Sequence, residues 1–193
     1  MPQKLVLAST SPFRKQLLEK LHVDFSTANP QVNEDELPGE TAIELVERLA
    51  IAKAQAVAKD FPSSLIIGSD QVCLNRDQIL GKPGNFENAF AQLKAASGQH
   101  VTFYTGLALV NSKTNQVQSL VETYDVYFRE LSDEMIANYL NKEQPYNCAG
   151  SFKSEGFGIS LFSRFEGKDP NSLIGLPLIS LIELLENEGF LIL

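Results

Sequence analysis

Short apolar runs with the length of buried strands alternate with amphipathic helical patterns along this sequence. A first strand pattern at 4–9 leads into the pair Ser11-Pro12, a hydroxyl cap followed by proline in the first helical turn. An alanine-rich amphipathic helix follows Thr41, and a second apolar strand pattern covers 65–67. Because strands and helices that alternate in this way pack as layers around a sheet, the sequence predicts an α/β fold.

The rest of the chain continues the alternation. Two long strand patterns at 101–110 and 116–129 flank a turn-rich segment, which predicts a hairpin. The segment 28–39 has no periodicity and is predicted to be a loop. Further helices are predicted at 85–96, at 131–140 and from the residue after Pro177 to Glu188.

The stretch Leu65–Leu74, with the sequence LIIGSDQVCL, places an ionisable carboxylate between two apolar runs. A charged group in such surroundings is costly to desolvate unless something pairs with it. One interpretation is a turn in which Gly68 bends the chain and Asp70 bonds the local backbone. The other interpretation is a carboxylate held at the end of a strand, facing a cleft.

Composition narrows the class of protein. The chain has 193 residues, 44% of them hydrophobic, which suits a single domain, 1–193, in which two lobes share a core. The net charge of -8 argues against a general duplex-DNA binder, and no apolar run approaches the roughly 20 residues that span a bilayer. Two distant cysteines and the lack of a secretory signal pattern predict a cytoplasmic protein with reduced thiols.

Cations, hydroxyls and carboxylates gather where the apolar pattern is interrupted. The strand-to-helix turn at 9–14 offers backbone N–H groups, hydroxyls and an arginine to an anion, and an ordinary helix cap is the alternative. Lys82 lies between glycine and proline, which fix the backbone around one cation. If Glu34, Asp70 and Glu155 come together, they supply oxygen ligands for Mg²⁺ or Mn²⁺ and a group that takes a proton from water. This set predicts cation-assisted attack of water on a phosphoryl centre.

Five stretches carry a resemblance that runs in order over nearly the whole chain. They are Leu5–Arg14 (LVLASTSPFR), Ile66–Val72 (IIGSDQV), Gly81–Pro83 (GKP), Thr102–Gly106 (TFYTG) and Cys148–Gly156 (CAGSFKSEG). Together they resemble the Maf family of nucleoside triphosphate pyrophosphatases. Within that family the likeness is closest to the bacterial subgroup that acts on 7-methyl-GTP.

The resemblance implies a fold and a reaction. The fold is an α/β architecture similar to that of inosine triphosphatases, with two lobes around a long mixed sheet, flanking helices and a central cleft that holds the active site. The reaction is hydrolysis between the α and β phosphates of 7-methyl-GTP, assisted by a divalent cation (Mg²⁺, Mn²⁺ or Co²⁺). The nucleotide is the expected partner, without nucleic acid or membrane, and a homodimer fits an enzyme of this type.

The resemblance also implies residue roles. Asp70 falls on the proton acceptor for the attacking water and, together with Glu34, on the metal site. Arg48 matches as well, either as a phosphate contact or as a structural ion pair. The positions expected to hold phosphates are occupied by Ser11, Arg14, Lys53 and Lys82.

Three positions resemble the substrate selectors of the subgroup: Phe13, Gln71 and Glu155. At position 13 the resemblance leads us to expect tryptophan, and the sequence contains none. A Phe ring is a weaker cation–π partner than Trp for a cationic methylated guanine, whereas Glu155 can accept hydrogen bonds from the guanine N1–H and amino groups. Two alternatives therefore stand beside 7-methyl-GTP hydrolysis. One is the same reaction on another non-standard or pyrimidine nucleotide, and the other is a nucleotide-binding regulator of cell division without turnover.

Overall fold

The structure, a computed structural model, describes residues 3–76 and 78–193. Its strands are β1 (Lys4–Ala8), β2 (Phe25–Ala28), β3 (Ser64–Asn75), β4 (Gln78–Leu80), β5 (His100–Asn111), β6 (Gln116–Phe128) and β7 (Phe162–Gly167). Its α-helices are α1 (Pro12–Glu19), α2 (Ala42–Ala58), α3 (Phe86–Ala96), α4 (Asp133–Glu143), α5 (Pro170–Ile174) and α6 (Leu178–Asn187). Two short 3₁₀ segments lie at Ala149–Ser151 and Phe157–Leu161. None of the helices in this part of the chain has the length and apolar character needed to cross a membrane.

The strands form one mixed sheet. Their order is β2-β1-β3-β5-β6-β7, and β4 pairs with β3 outside this path. Strand β1 is parallel to both β2 and β3, whereas β4 is antiparallel to β3 and β7 is antiparallel to β6. This mixed sheet with its flanking helices confirms the predicted α/β fold.

The chain folds as two compact units. The first unit comprises residues 3–71, Tyr104–Glu122 and Asp169–Leu193, and the second comprises Val72–Phe103 and Thr123–Lys168. An active-site cleft between two lobes of a single domain stays a prediction.

The first unit buries both faces of its central strands. Leu7 packs on one face with Leu17 of α1 and Leu181 of α6. Val6 packs on the opposite face with Ala54 of α2. Successive side chains of a strand point to opposite faces, so a strand covered on both sides needs a continuous apolar run. This is why β1 and the start of β3 show no polar alternation.

Two glycines let α2 pack directly against the sheet. A Cβ atom added to Gly68 in β3 would lie 2.1 Å from the backbone oxygen of Ala50 in α2. A Cβ atom added to Gly106 in β5 would lie 2.1 Å from the backbone oxygen of Val46. Because only glycine permits this approach, the two positions set the distance between α2 and the strands beneath it. Lys53, which α2 carries, is positioned by the same contact.

The second unit has an aromatic core centred on Phe152. The Phe152 ring meets the rings of Phe103, Phe128 and Phe162 edge-on, at centroid distances of 5.6, 5.6 and 4.8 Å. Such edge-to-face pairs are favourable beyond the area that they bury. They fix the segment that leads into Lys153 and Glu155.

Most of the long elements agree with the sequence predictions. Ser11 and Thr41 are the N-cap residues of α1 and α2, and Thr41 forms a capping box with Glu44. Helices α3 and α6 and the two long strands β5 and β6 lie where the patterns place them, and α4 extends to Glu143.

Both interpretations of the segment 68–71 are wrong about where Asp70 lies in the strand, and the cleft that Asp70 would face stays a prediction. Strand β3 runs without interruption from Ser64 to Asn75, so Asp70 is inside a strand and neither in a turn nor at a strand end. The physical reason lies in Gly68, which allows the contact with α2 and does not bend the chain.

Short elements were not predicted. Strands β2, β4 and β7 have three to six residues and α5 has five, so each is too short to show a clear period. The predicted loop 28–39 is correct apart from Ala28, which ends β2.

Candidate active site

Lys53 connects two of the predicted site carboxylates. Its Nζ atom lies 2.6 Å from Asp70 Oδ1 and 2.8 Å from Glu34 Oε1. Lys53 is 5% exposed and Asp70 is 8% exposed, whereas the side chain of Glu34 is largely in solvent. Burial strengthens the attraction between the charges of Lys53 and Asp70. It also means that either charge would destabilise the fold if its partner were removed. The desolvation cost that the sequence raised for Asp70 is therefore offset by Lys53.

Local structure explains why these groups meet. Asp70 follows Gly68 by two positions in β3, and Gly68 is the residue on which α2 rests. Lys53 faces inward from α2, among the buried residues of that helix. Glu34 reaches the same ammonium group from the segment before α2. The cluster thus joins a strand, a helix and a loop of the first unit.

Arg14 is held beside this cluster by the end of α5. Its Nε–H donates to the backbone oxygen of Gly175 at 2.8 Å, and the Ser69 hydroxyl donates to the same oxygen at 2.9 Å. Gly175 adopts φ +118°, a conformation that favours glycine. Burial lowers the pKa of Arg14, and the negative charges of Asp70 and Glu34 oppose that shift. The guanidinium therefore lies within the field of the two carboxylates.

The amino-terminal end of α1 carries two further predicted site residues. The Ser11 hydroxyl oxygen accepts a hydrogen bond from the backbone N–H of Arg14 at 3.4 Å, so the helix-cap interpretation is correct. This cap uses the oxygen as acceptor, and a hydroxyl can still donate its hydrogen to an anion at a helix amino terminus. The Phe13 side chain is 40% exposed, so its ring is accessible.

Gln71 is held by groups that the sequence interpretation missed. Its amide nitrogen donates to the backbone oxygen of Ser172 at 2.6 Å and to the Thr105 hydroxyl at 2.9 Å. The pair Asp169-Pro170, a cap followed by proline as in Ser11-Pro12, could have indicated α5. The direction in which the carbonyl groups of α5 point has no signal in the sequence.

The structure shows Arg48 in an ion pair, which is one of its two interpretations. Its Nε and Nη2 atoms lie 2.5 and 2.7 Å from the two carboxylate oxygens of Glu40, and Nη2 also donates to the backbone oxygen of Asp35 at 3.0 Å. The hydrogen bonds from Arg48 lower the pKa of Glu40 to about 2. Arg48 is therefore the structural ion pair, and it fixes the segment that precedes α2.

Lys82 and Glu155 belong to the second unit. Both side chains are exposed, and Lys82 lies in the segment between β4 and α3. The segment around Glu155 is held by Glu143 of α4, which accepts a hydrogen bond from Phe157 N at 3.0 Å and pairs with Lys153 Nζ at 3.2 Å. That Lys82 and Glu155 act together with the residues of the first unit stays a prediction.

The carboxylates suit a divalent cation bound together with a phosphate. Within residues 3–76 and 78–193, no group of three or more His, Cys, Asp and Glu side chains converges as a metal site. Mg²⁺ is often held by one or two carboxylates, with substrate phosphates and waters as the other ligands. Oxygens of Glu34 and Asp70 lie 2.8 and 2.6 Å from Lys53 Nζ, which occupies the point between them, so these are the two carboxylates that would hold such an ion.

Fold and geometry together define an α/β protein whose buried carboxylate pairs with Lys53 and lies within the influence of Arg14, which suits a ligand that carries phosphate. A sequence model of the Maf family, described as Maf-like protein, matches residues 4–188. The chain belongs to the Maf family. This confirms the resemblance seen in the five sequence stretches.

Similar proteins cover nearly the whole chain. The chain is 59% identical to the 7-methyl-GTP pyrophosphatase of Colwellia psychrerythraea over 96% of its own length and 92% of the relative. It is 56% identical to the protein of that name from Vibrio vulnificus, over 98% of this chain and 97% of the relative. The protein of that name from Aliivibrio fischeri is 53% identical, over 98% of both chains.

A solved structure shares the fold. The Ham1 protein of Staphylococcus aureus matches with a TM-score of 0.55 over 96% of this chain and 100% of that protein, at 17% sequence identity. At this identity the likeness shows the fold alone, and it agrees with the predicted architecture.

Proposed function

We propose that this protein hydrolyses the α–β phosphoanhydride of 7-methyl-GTP to 7-methyl-GMP and pyrophosphate, and so removes a modified nucleotide. The observation that carries the proposal is the identity of 53–59% to three relatives that bear the name 7-methyl-GTP pyrophosphatase. The buried Asp70, paired with Lys53 and close to Arg14, supports the chemistry.

Each charged group has a role in this reaction. Asp70 takes the proton of the attacking water, and its ion pair with Lys53 fixes the orientation of the carboxylate. Positive groups aimed at the phosphates stabilise the charge that develops on the leaving pyrophosphate. The positive groups proposed for this task are Arg14, Lys53 and Lys82, and the Ser11 hydroxyl is proposed to donate a hydrogen bond to a phosphate oxygen.

A divalent cation completes the proposal. Glu34 and Asp70 would hold Mg²⁺, Mn²⁺ or Co²⁺, all of which accept oxygen ligands. When bound, such an ion polarises a phosphoryl oxygen.

Base selection is assigned to Phe13, Gln71 and Glu155. The exposed ring of Phe13 offers a face to a cationic methylated guanine, and Glu155 offers hydrogen-bond acceptors. The same reaction on another non-standard or pyrimidine nucleotide stays the alternative, because Phe stands where the subgroup resemblance predicts Trp. A homodimer and a cytoplasmic location stay predictions.

Pyrophosphate release from 7-methyl-GTP, GTP, UTP, dTTP and ITP tests the proposal. We expect the fastest release from 7-methyl-GTP, and we expect Asp70→Asn to slow it by about 100-fold or more, the usual contribution of a general base. Asp35→Asn is the matched control, because it makes the same chemical change at an exposed carboxylate nearby.

Three results would contradict the proposal in different ways. Preference for another nucleotide would overturn the substrate, and full activity in Asp70→Asn would overturn the proton acceptor. Binding of nucleotide without turnover of any would favour the regulator of cell division.

A further inference from the structure

The amide group of Gln71 has only one possible orientation. Its Nε2 atom lies 2.6 Å from the backbone oxygen of Ser172 and 3.3 Å from that of Leu173. Backbone oxygens can only accept hydrogen bonds, so an N–H group must face them and the amide oxygen cannot. The orientation therefore follows from hydrogen-bond chemistry.

The hydroxyl of Thr105 strengthens this constraint. Thr105 has no exposed surface, and its single hydroxyl hydrogen is donated to the backbone oxygen of Ser172 at 3.0 Å. The hydroxyl oxygen is then left as the acceptor for Gln71 Nε2, at 2.9 Å. If the amide turned over, two backbone oxygens would face Gln71 Oε1 without a hydrogen between them, and the Thr105 hydroxyl could donate to Oε1 only by giving up its bond to Ser172.

The other end of the amide is an open acceptor. Within residues 3–76 and 78–193, the one buried side-chain nitrogen or oxygen atom without a hydrogen-bond partner is Asn75 Oδ1. Gln71 Oε1 accepts no hydrogen bond from these residues, so it is open to solvent on a half-buried side chain. It belongs to the residue directly after Asp70.

We propose that Thr105 and the carbonyl groups of Ser172 and Leu173 are positioning groups that make Gln71 a hydrogen-bond acceptor for the ligand. The part of the ligand that meets Gln71 must then be a hydrogen-bond donor, and where that part is the base the donor is an N–H group on its Watson–Crick edge. In 7-methylguanine the donors are the N1–H and the 2-amino group. This inference rests on the proposed function, because it takes the base of the substrate as the ligand group next to Gln71.

The test compares substrates that each lack one donor. 7-Methyl-ITP lacks the 2-amino group, and 1,7-dimethyl-GTP lacks the N1–H. We expect wild-type protein to prefer 7-methyl-GTP over at least one of them. In Thr105→Val that preference falls about tenfold through a higher KM, with kcat within about twofold, because the Gln71 amide loses one of its three acceptors and is held less firmly against the ligand. Thr105→Ser restores the preference because it restores the hydroxyl.

A control variant separates this effect from a general loss of order in β5. Thr102 is on the same strand and donates its hydroxyl to Asp125 Oδ1 at 2.5 Å. Thr102→Val should leave the preference as in the wild type. If Thr105→Val keeps the wild-type preference, or if Thr105→Ser behaves like Thr105→Val, the inference is wrong. If wild-type protein releases no pyrophosphate from 7-methyl-GTP, the proposed function itself fails.

A measurement on wild-type protein does not depend on the folding of any variant. NMR of the Gln71 side chain should show amide protons that are slow to exchange in the free protein. Addition of 7-methyl-GMP should shift the side-chain carbonyl carbon and leave these protons in place. A large change in the amide protons, with no change at the carbonyl carbon, would overturn the assigned orientation.

Discussion

At the scale of single residues, a buried lysine between two carboxylates sets the charge of the candidate site. One ammonium group against Asp70 and Glu34 leaves a net negative charge, and the nearby guanidinium of Arg14 balances it. A phosphate ligand can therefore meet positive groups without being repelled by unpaired carboxylates. The same pairing is what allows Asp70 to lie inside an apolar strand.

Replacement of Lys53 tests how much its ion pair with Asp70 contributes to the stability of the fold. We expect Lys53→Met to lower the free energy of unfolding by about 3 kcal/mol, because Asp70 stays buried and loses its partner. In the Lys53→Met background, Asp70→Asn should recover part of the loss. Urea denaturation of the two single variants and the double variant measures the coupling.

An exposed ion pair supplies the control. Lys15 and Glu19 lie 3.8 Å apart with side chains that are 56% and 53% exposed. Lys15→Met should change the free energy of unfolding by less than about 0.5 kcal/mol. If Lys53→Met and Lys15→Met lower the free energy of unfolding equally, burial of the Lys53–Asp70 pair makes no extra contribution to stability.

The Glu40–Arg48 pair predicts a pH dependence of stability. The hydrogen bonds of Arg48 lower the pKa of Glu40 from 4.5 to about 2 in the folded state. The stabilisation is therefore complete above about pH 4.5, the value for the unfolded chain, and is lost as the pH falls toward 2. Glu40→Gln should lower the Tm by a few degrees at pH 7. The difference in Tm between wild type and Glu40→Gln should shrink as the pH falls from about 4.5 to about 2.

Glu36→Gln, at an exposed position in the same segment, serves as the control for the change of charge. Its Tm should follow that of the wild type at each pH. If the difference in Tm between wild type and Glu40→Gln stays constant from pH 7 to pH 2.5, the lowered pKa of Glu40 is contradicted.

At the scale of elements, the distance between α2 and the sheet connects packing with the site. Gly68→Ala and Gly106→Ala would each place a Cβ atom 2.1 Å from a backbone oxygen of α2. Backbone atoms cannot give way as a flexible side chain can, so we expect each variant to lose about 3 kcal/mol of stability. Gly68→Ala should also reduce turnover, because a displaced α2 carries Lys53 away from Asp70.

Gly81→Ala is the matched control, since an added Cβ atom there has no neighbour within 4 Å. Thermal unfolding of the three variants measures the difference. Wild-type Tm values for Gly68→Ala and Gly106→Ala would show that α2 does not rest on these glycines as described.

Elements that were predicted from the sequence share a strong local signal. The caps at Ser11 and Thr41 and the periods of α2 and α6 mark those helices directly. The prediction for the segment 68–71 was wrong because glycine and aspartate are typical of turns. They also occur inside a strand where a helix packs closely on the strand and a charged side chain is paired. Local patterns cannot distinguish these cases, since the deciding contact, between Gly68 and Ala50, joins distant parts of the chain.

At the scale of the whole molecule, residue types that bear charge were visible in the sequence, and their partners were not. Glu34, Lys53 and Asp70 were each predicted as site residues, and the structure brings them together. The carbonyl groups that hold Arg14 and Gln71 were missed. Every residue has a backbone carbonyl, so the sequence contains no sign of which ones will anchor a side chain.

Identification of the cleaved bond tests the central claim most directly. Wild-type protein is incubated with 7-methyl-GTP and a divalent cation in water enriched in oxygen-18, and the products are separated and weighed by mass spectrometry. We predict equal amounts of 7-methyl-GMP and pyrophosphate, formed by a single attack of water between the α and β phosphates. Formation of 7-methyl-GDP and inorganic phosphate, or recovery of intact 7-methyl-GTP, would contradict the account.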